Sequence, residues 1–401
     1  MVAVGTRLRA GAALLGPAFV AAIAYVDPGN VATNTAAGAK YGYLLVWVLV
    51  VANVMAGLVQ YLSAKLGLVT GQSLPEAVRD HLPRPARLAY WGQAEVVAMA
   101  TDLAEVLGGA IALSLLFDLP LLLGGVITGV VSTVLLLVQD KRGQRPFERV
   151  ITTMLAVIAI GFVAGLFVSP PSVSGAVSGL LPRFDGADSV LLAAGMLGAT
   201  VMPHAVYLHS ALARDRHGRN PALLGTTKVD VVVAMMLAGA VNLAMLLLAA
   251  SALQGEDGVD TLEGAHAAVG ATLGGGIALL FALGLLASGF ASTAVGCYAG
   301  AVVMDGLLRV RVPLPARRIV TLVPALVILA LGVDPTFALV LSQVVLSFGI
   351  PFALVPLVWL TARRPLMGSF TNRRTVTVAA SCVAFAVVVL NVALIYLTMS
   401  P

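Results

Sequence analysis

The stretch Tyr25-Val26-Asp27-Pro28-Gly29-Asn30 sits inside an otherwise uncharged apolar run from about Gly11 to about Ala37. Asp27 is the one charged side chain of that run, and a carboxylate at membrane depth marks a functional site by default. Pro28 and Gly29 beside it break the helix that has to carry it, since proline lacks the N–H an interior turn needs. Irregular backbone survives inside a bilayer only where protein or a water-filled cavity receives its polar groups. A costly carboxylate on a broken helix predicts a bound cation, and the rest of the chain reads as the machinery around it.

Composition bounds the setting. Of 401 residues, 59% are hydrophobic and 11% are charged, against roughly 25% charged in a soluble globular domain. That balance specifies a polytopic membrane protein. The apolar runs are long and continuous, which selects helices over the short alternating strands of a barrel. Arg7 and Arg9 precede the first run, but the run is too long for a signal peptide and is expected to remain as the first span. Cys297 and Cys382 both lie in apolar runs, so neither a disulfide framework nor a thiolate metal site is expected.

Runs long enough to span, at about 20 residues each, fall near 12–37, 41–68, 86–116, 119–139, 146–168, 188–213, 226–252, 273–308, 315–332, 337–361 and 374–398. The expectation is an all-α integral membrane protein of eleven transmembrane helices. The connecting segments then sort by charge. One set holds 22 of the 24 basic residues, and the opposite set holds only Lys40 and Arg183. By the positive-inside rule the N-terminus is cytoplasmic and the C-terminus extracytoplasmic, in a cell (inner or plasma) membrane. The basic balance is therefore a topology signal, and no nucleic-acid partner is expected. The outer loops carry Asp185, Asp188, Glu256, Asp257, Asp260 and Glu263. Solvated loop charge accounts for these, and a concentration of cations at the outer mouth is the sharper alternative.

A second interruption falls in the sixth span, at Gly198-Ala199-Thr200-Val201-Met202-Pro203-His204. Spans one and six are five apart, so a five-helix repeat starts on opposite sides of the membrane in its two copies. Interrupted helices at matching places in opposed halves point to an inverted-repeat transporter with its site at the midplane. The expected organisation is residues 1–168 as the first repeat, 188–361 as the second, and 374–398 as an additional helix.

The chemistry of the two breaks suggests which cation. Asp27 offers a hard anionic oxygen, Asn30 an amide oxygen one turn on, and unwinding frees backbone carbonyls near Ala24 and Tyr25. Met202 offers a thioether. Oxygen-only cages suit Mg²⁺ and Ca²⁺, and added sulfur tilts a site toward softer transition metals. A structural helix–helix hydrogen bond or a Na⁺ site is the competing reading of Asp27, and core filling that of Met202.

Taken together, Gly16-Pro17-Ala18-Phe19 with Ile23-Ala24-Tyr25-Val26-Asp27-Pro28-Gly29-Asn30 closely resembles the first helix of the Nramp divalent-metal transporters. Met202-Pro203-His204 followed by Tyr207-Leu208-His209-Ser210 resembles their sixth, and the likeness covers essentially the whole chain. The resemblance implies a LeuT-like fold with a 5+5 inverted repeat and proton-coupled uptake of Mn²⁺ or Fe²⁺, with Cd²⁺ and Co²⁺ accepted. It implies that Asp27, Asn30 and Met202 bind metal, joined by the carbonyls of Ala24 and Ala199 as the protein changes state. Gln343 matches a tenth-helix glutamine that joins the metal in some states; an interhelical hydrogen bond is its other reading. One departure stands in the eighth span, where Phe290 in Gly289-Phe290-Ala291-Ser292-Thr293 replaces the family's glutamine. That puts in question local polar contacts of the helix, not the metal site.

The third span contains Glu95, Asp102 and Glu105. At 100° per residue these lie within roughly 80° of one another over about 15 Å of helix. Three carboxylates on one face of a membrane helix must line a polar path or pair with cations. Arg317 and Arg318, at the start of the ninth span, are the candidate partners, with loop charge as their ordinary reading. The resemblance assigns this helix the proton route, with Asp102 as main acceptor and Glu105 and Glu95 extending it. His204, two residues beyond Met202, faces about 200° away in an intact helix. It is therefore placed beside the metal as a gate or proton-linked residue and not as a ligand.

The resulting expectation is a transporter and not an enzyme. Metal ions and protons are its cargo, the bilayer its setting, no resident cofactor is needed and no oligomer is required. An amino-acid symporter of the same fold would cradle a carboxylate on its half-helix ends, which an anionic Asp27 opposes. A membrane metalloenzyme would show His/Glu pairs at helical spacing such as His-Glu-x-x-His, and the chain has none. A passive channel has less use for two broken helices in opposed repeats.

Overall fold

The first apolar run forms no continuous helix. In the computed structural model it divides into α1 (Pro17–Ala22), a 3-10 turn over Ile23–Tyr25, and α2 (Pro28–Tyr41). The structure describes residues 16–256 and 258–399. Arg7, Arg9 and Asp257, which entered the charge reading, lie outside the described residues, as does the start of the first run.

The remaining elements follow the apolar runs closely. They are α3 (Val46–Thr70), α4 (Leu74–Arg79), α5 (Arg84–Phe117), α6 (Leu121–Arg142), α7 (Gln144–Val163), α8 (Gly165–Val168) and α9 (Val173–Ser178). Then come α10 (Gly186–Thr200), α11 (Pro203–His217), α12 (Leu224–Ala252), α13 (Leu262–Leu273), α14 (Gly275–Leu308), α15 (Leu314–Ala330), α16 (Pro335–Thr361), α17 (Arg364–Met367) and α18 (Arg374–Met399). Among the described residues all regular structure is helical, and nine helical segments are long and apolar enough to cross a membrane. The broken first run and α15, at 17 residues, are the two predicted spans outside that set. Four helices were not legible as spans or motifs: α4, α9, α13 and α17, all in connecting segments.

The long helix α14 runs along α5 and α7, while α12 packs on α2 and α11 on α3. α16 packs between α5 and α18, and α15 lies against α6 and α5. Backbone approach is close where glycine permits it. A Cβ at Gly67 of α3 would stand 2.2 Å from the Ser210 carbonyl of α11, and small residues are what allow such contacts between membrane helices.

Charged side chains tie the helix ends to one another. Arg214 pairs with Glu76, Arg79 donates to the Gly306 carbonyl at 2.9 Å, and Arg219 to the Val69 carbonyl at 3.0 Å. Lys40, from the sparse opposite set, pairs with Asp188, which also accepts from the Tyr41 hydroxyl at 2.8 Å.

Candidate metal and proton sites

The two helix breaks share one construction. Asp27 has extended backbone (φ −72°, ψ 168°) and caps α2, whose first residue is Pro28. Met202 likewise is extended (φ −81°, ψ 120°) and precedes α11, whose first residue is Pro203. A residue before proline is driven out of the helical region, and proline itself is well suited to the first helical position. Each X-Pro pair thus ends one half-helix and starts the next, leaving Asp27 and Met202 at equivalent places.

The tertiary structure brings these places together. Asp27 Oδ1 accepts from the Asn30 backbone N–H at 2.9 Å and from Asn30 Nδ2 at 2.5 Å. The same Nδ2 donates to the Ala199 carbonyl at 2.9 Å, and the Thr200 hydroxyl reaches Asn30 Oδ1 at 3.4 Å. Ala24, Asp27, Asn30, Ala199 and Met202 are all buried. So the carboxylate and amide of the first break face the carbonyl end of α10 across the second. Gln343 closes a further side: its amide nitrogen would lie 2.5 Å from a Cβ at Gly29, and neither amide atom has a hydrogen-bond partner among the described residues. A Cβ at Gly108 of α5 would clash with Pro28, so the third predicted span packs directly on the break.

Of the carbonyls expected to be free, that of Tyr25 is engaged: Asn242 Nδ2 donates to it at 2.7 Å. The Val26 carbonyl accepts from the Ser288 hydroxyl at 2.6 Å. Ser288 thereby supplies a polar link from α14 to the break, two residues before the departure at Phe290. Two of the loop acids are also less detached than solvated loop charge implies. Asp260 and Glu263 line a cavity of ≈180 Å³ together with Gly29, Thr33 and Gln343, so loop and break share one space.

On α5 the three carboxylates have different surroundings. Glu95 accepts from Arg317 Nη2 at 2.8 and 3.0 Å, and Asp102 accepts from Arg318. Arg318 also donates from Nε to Ser132 at 2.8 Å, and both arginines are buried. Glu105, fully buried, lies against Gly296 of α14 and, unlike Glu95 and Asp102, pairs with no arginine among the described residues. His204 is buried with both ring nitrogens unpartnered among the described residues, and it faces a small space bounded by Gln93, Tyr207, Gly300 and Gly349.

Two polar networks escaped the sequence reading. Gln60 Nε2 donates to the Tyr25 hydroxyl at 2.6 Å while Gln60 Oε1 meets His209 Nδ1 at 2.8 Å, joining the break to α3 and α11. His209 is therefore a member of this network. At the start of α1, Asp230 accepts the backbone N–H groups of Gly16 and Ala18 at 3.1 and 3.0 Å. Such a carboxylate supplies the cap that no local side chain provides. A lone Gln, Asp or Asn in an apolar run was the available signal; its partner was not.

Comparison with known proteins gives a consistent answer. The family model for natural resistance-associated macrophage protein-like (Nramp) sequences matches residues 18–397. A divalent metal cation transporter MntH of Mycobacterium tuberculosis is 63% identical over 401 residues, covering 98% of this chain and 94% of that protein. One from Pectobacterium carotovorum is 48% identical over 399 residues, covering 98% of this chain and 97% of its own. A crystal structure of an Eremococcus coleocola manganese transporter, bound to an aromatic bis-isothiourea substituted compound, superposes with a TM-score of 0.85 at 31% identity. It covers 94% of this chain and 85% of its own. Mhp1, a nucleobase-cation-symport-1 family transporter, shares the fold at a TM-score of 0.63 and 17% identity, over 95% of this chain and 89% of its own. Likeness of this degree over nearly the whole length makes the chain a member of the Nramp family.

Proposed function

We propose that the chain is a proton-coupled importer of divalent transition metals, Mn²⁺ and Fe²⁺ with Cd²⁺ and Co²⁺ accepted, working by alternating access. The observation that carries this reading is the buried meeting of Asp27 and Asn30 with Ala199 across two X-Pro helix breaks. Asp27, Asn30 and Met202 would hold the metal, with the Ala24 and Ala199 carbonyls and Gln343 joining in some states. Asn30 Nδ2 now occupies Asp27 Oδ1 and the Ala199 oxygen, so binding exchanges those hydrogen bonds for metal bonds. The thioether favours softer ions over Mg²⁺ and Ca²⁺. The relatives named for manganese and divalent cations support this substrate class.

Eleven spans follow if the broken first run and α15 join the nine longer segments. Residues 1–168 and 188–361 are then two opposed five-helix halves in a LeuT-like arrangement, with 374–398 appended. The matched construction at Asp27-Pro28 and Met202-Pro203 supports that symmetry. With the basic loops inside, the N-terminus is cytoplasmic and the cavity at Asp260 and Glu263 is the outer entry. The Tyr25–Gln60–His209 chain then closes the cytoplasmic side. Inward movement of a cation gains about 2.3 kcal/mol per charge per 100 mV of membrane potential, so protons need not supply the whole driving force. Protons pass by α5, with Asp102 as acceptor, Glu105 and Glu95 extending the route, Arg318 and Arg317 balancing charge, and His204 linking it to the metal site.

Mn²⁺ uptake into proteoliposomes across an imposed pH gradient tests both parts. Uptake is expected to rise with an acidic exterior and to vanish in Asp27→Ala. Indifference to the gradient removes the proton coupling, and normal transport by Asp27→Ala removes the site.

A further inference from the structure

We infer that the groove between α16 and α18 is a binding site for an anionic phospholipid, its acyl chain in the groove and its phosphate on the arginines at the groove's end. The groove measures ≈520 Å³ and is lined by Val358, Trp359, Ala362, Thr377, Ser381 and Phe385, among others. Trp359 and Phe385 are exposed walls, 46% and 71% accessible, and the small side chains of Ser381 and Ala384 line the groove beside them. An apolar channel of this kind on a membrane helix pair suits a hydrocarbon chain.

What makes the site selective is the charge at one end. Arg363, adjacent to the lining residue Ala362, carries its guanidinium 4.2 Å from the Trp359 ring centroid. Arg374 opens α18 three residues before Thr377, which places it above the same face of the helix. Arg364 and Arg373 complete a set of four, and Arg364, Arg373 and Arg374 are exposed. No Asp or Glu occurs anywhere from Pro335 to the end of the chain. Among the described residues none of the four arginines enters an ion pair.

The loop that bears them is held in place. Asn372 takes a hydrogen bond from the buried Lys65 ammonium at 2.7 Å and donates to the Thr361 hydroxyl at 2.9 Å and carbonyl at 3.1 Å. Lys65 thus adds positive charge behind the loop through a neutral partner. Positive-inside topology accounts for arginines in this loop, but not for the placement of Arg363 on the groove wall at Trp359 and of Arg374 above Thr377. Basic pockets between helices on the cytoplasmic side recognise anionic head groups, and arginine suits phosphate through its planar set of donors. A zwitterionic head group would bring its own ammonium against the same charges.

Native mass spectrometry of the full chain, exposed to equal phosphatidylglycerol and phosphatidylethanolamine, tests the assignment. Retention of phosphatidylglycerol over phosphatidylethanolamine is expected, falling about fivefold for each arginine removed in Arg363→Gln and in Arg373→Gln with Arg374→Gln. Ser381→Phe, which fills the groove, is expected to lose the retained lipid while the arginines stay. Equal retention of the two lipids, or selectivity unmoved by the arginine variants, overturns the proposal. Displacement by millimolar inorganic phosphate assigns the arginines to a soluble anion and overturns it, and a dimeric mass assigns the groove to a second copy with the same consequence.

Discussion

In the proposed site, Asp27 and Met202 would divide the labour of selectivity. The carboxylate would supply charge to attract any cation and the thioether would discriminate among them, because sulfur binds softer ions and contributes little to Mg²⁺ or Ca²⁺. Met202→Ala should therefore retain divalent-ion transport and lose preference: Mn²⁺ and Cd²⁺ would fall toward Ca²⁺ and Mg²⁺ in a liposome uptake competition. Unchanged selectivity would remove the thioether from the site. Asp102 offers the matching test for protons. Asp102→Asn keeps the shape and removes the charge, so metal-stimulated proton entry should drop further than metal binding measured by calorimetry. The variant also leaves Arg318 buried without its counter-charge, which costs about 3–5 kcal/mol and should appear as a lower melting temperature. Normal proton flux would close the α5 route.

At the scale of elements, the breaks work because other helices complete them. Pro28 seats on Gly108 of α5, Ser288 of α14 takes the Val26 carbonyl, Asn242 of α12 takes that of Tyr25, and Asp230 of α12 caps α1. Each satisfies backbone that a bilayer would leave stranded. The contact at Gly108 is tight enough to be tested alone. Gly108→Val would place its Cβ 2.2 Å from Pro28, and overpacking of that kind costs about 1–3 kcal/mol. Reduced Mn²⁺ binding and a lower melting temperature are expected together. An undisturbed melting temperature would mean that α2 moves freely against α5.

At the scale of the whole molecule, the proposed topology would arrange charge along the transport direction. In the sequence 22 of the 24 basic residues fall in one set of connecting segments, and Asp260 and Glu263 line the cavity that touches Gly29 and Gln343. Acids at the mouth of a cleft raise the local concentration of cations, by about tenfold at the low end of such effects. Asp260→Asn with Glu263→Gln should lower the Mn²⁺ uptake rate at low ionic strength. The gap should close as salt shortens the Debye length to about 3 Å at 1 M. A deficit that salt does not relieve would assign the two acids to structure.

Local chemistry made part of this protein legible in its sequence. Long apolar runs, the one-sided basic residues and the two X-Pro interruptions each act through neighbours in the chain: helix formation, topology and helix breaking need no distant partner. Glu95, Asp102 and Glu105 could likewise be placed on one helix face from their spacing. Their partners were another matter. Arg317 meets Glu95 and Arg318 meets Asp102, whereas Glu105 has neither, and nothing in the spacing separated it from its neighbours. Tyr25–Gln60–His209, the Asp230 cap and the Asn242 contact span three helices or join residues more than two hundred apart. Sequence determined where the polar groups lie and that leaving one unpartnered inside a membrane is costly. Which partner it finds depends on how the helices pack, and that was decided only in the tertiary structure.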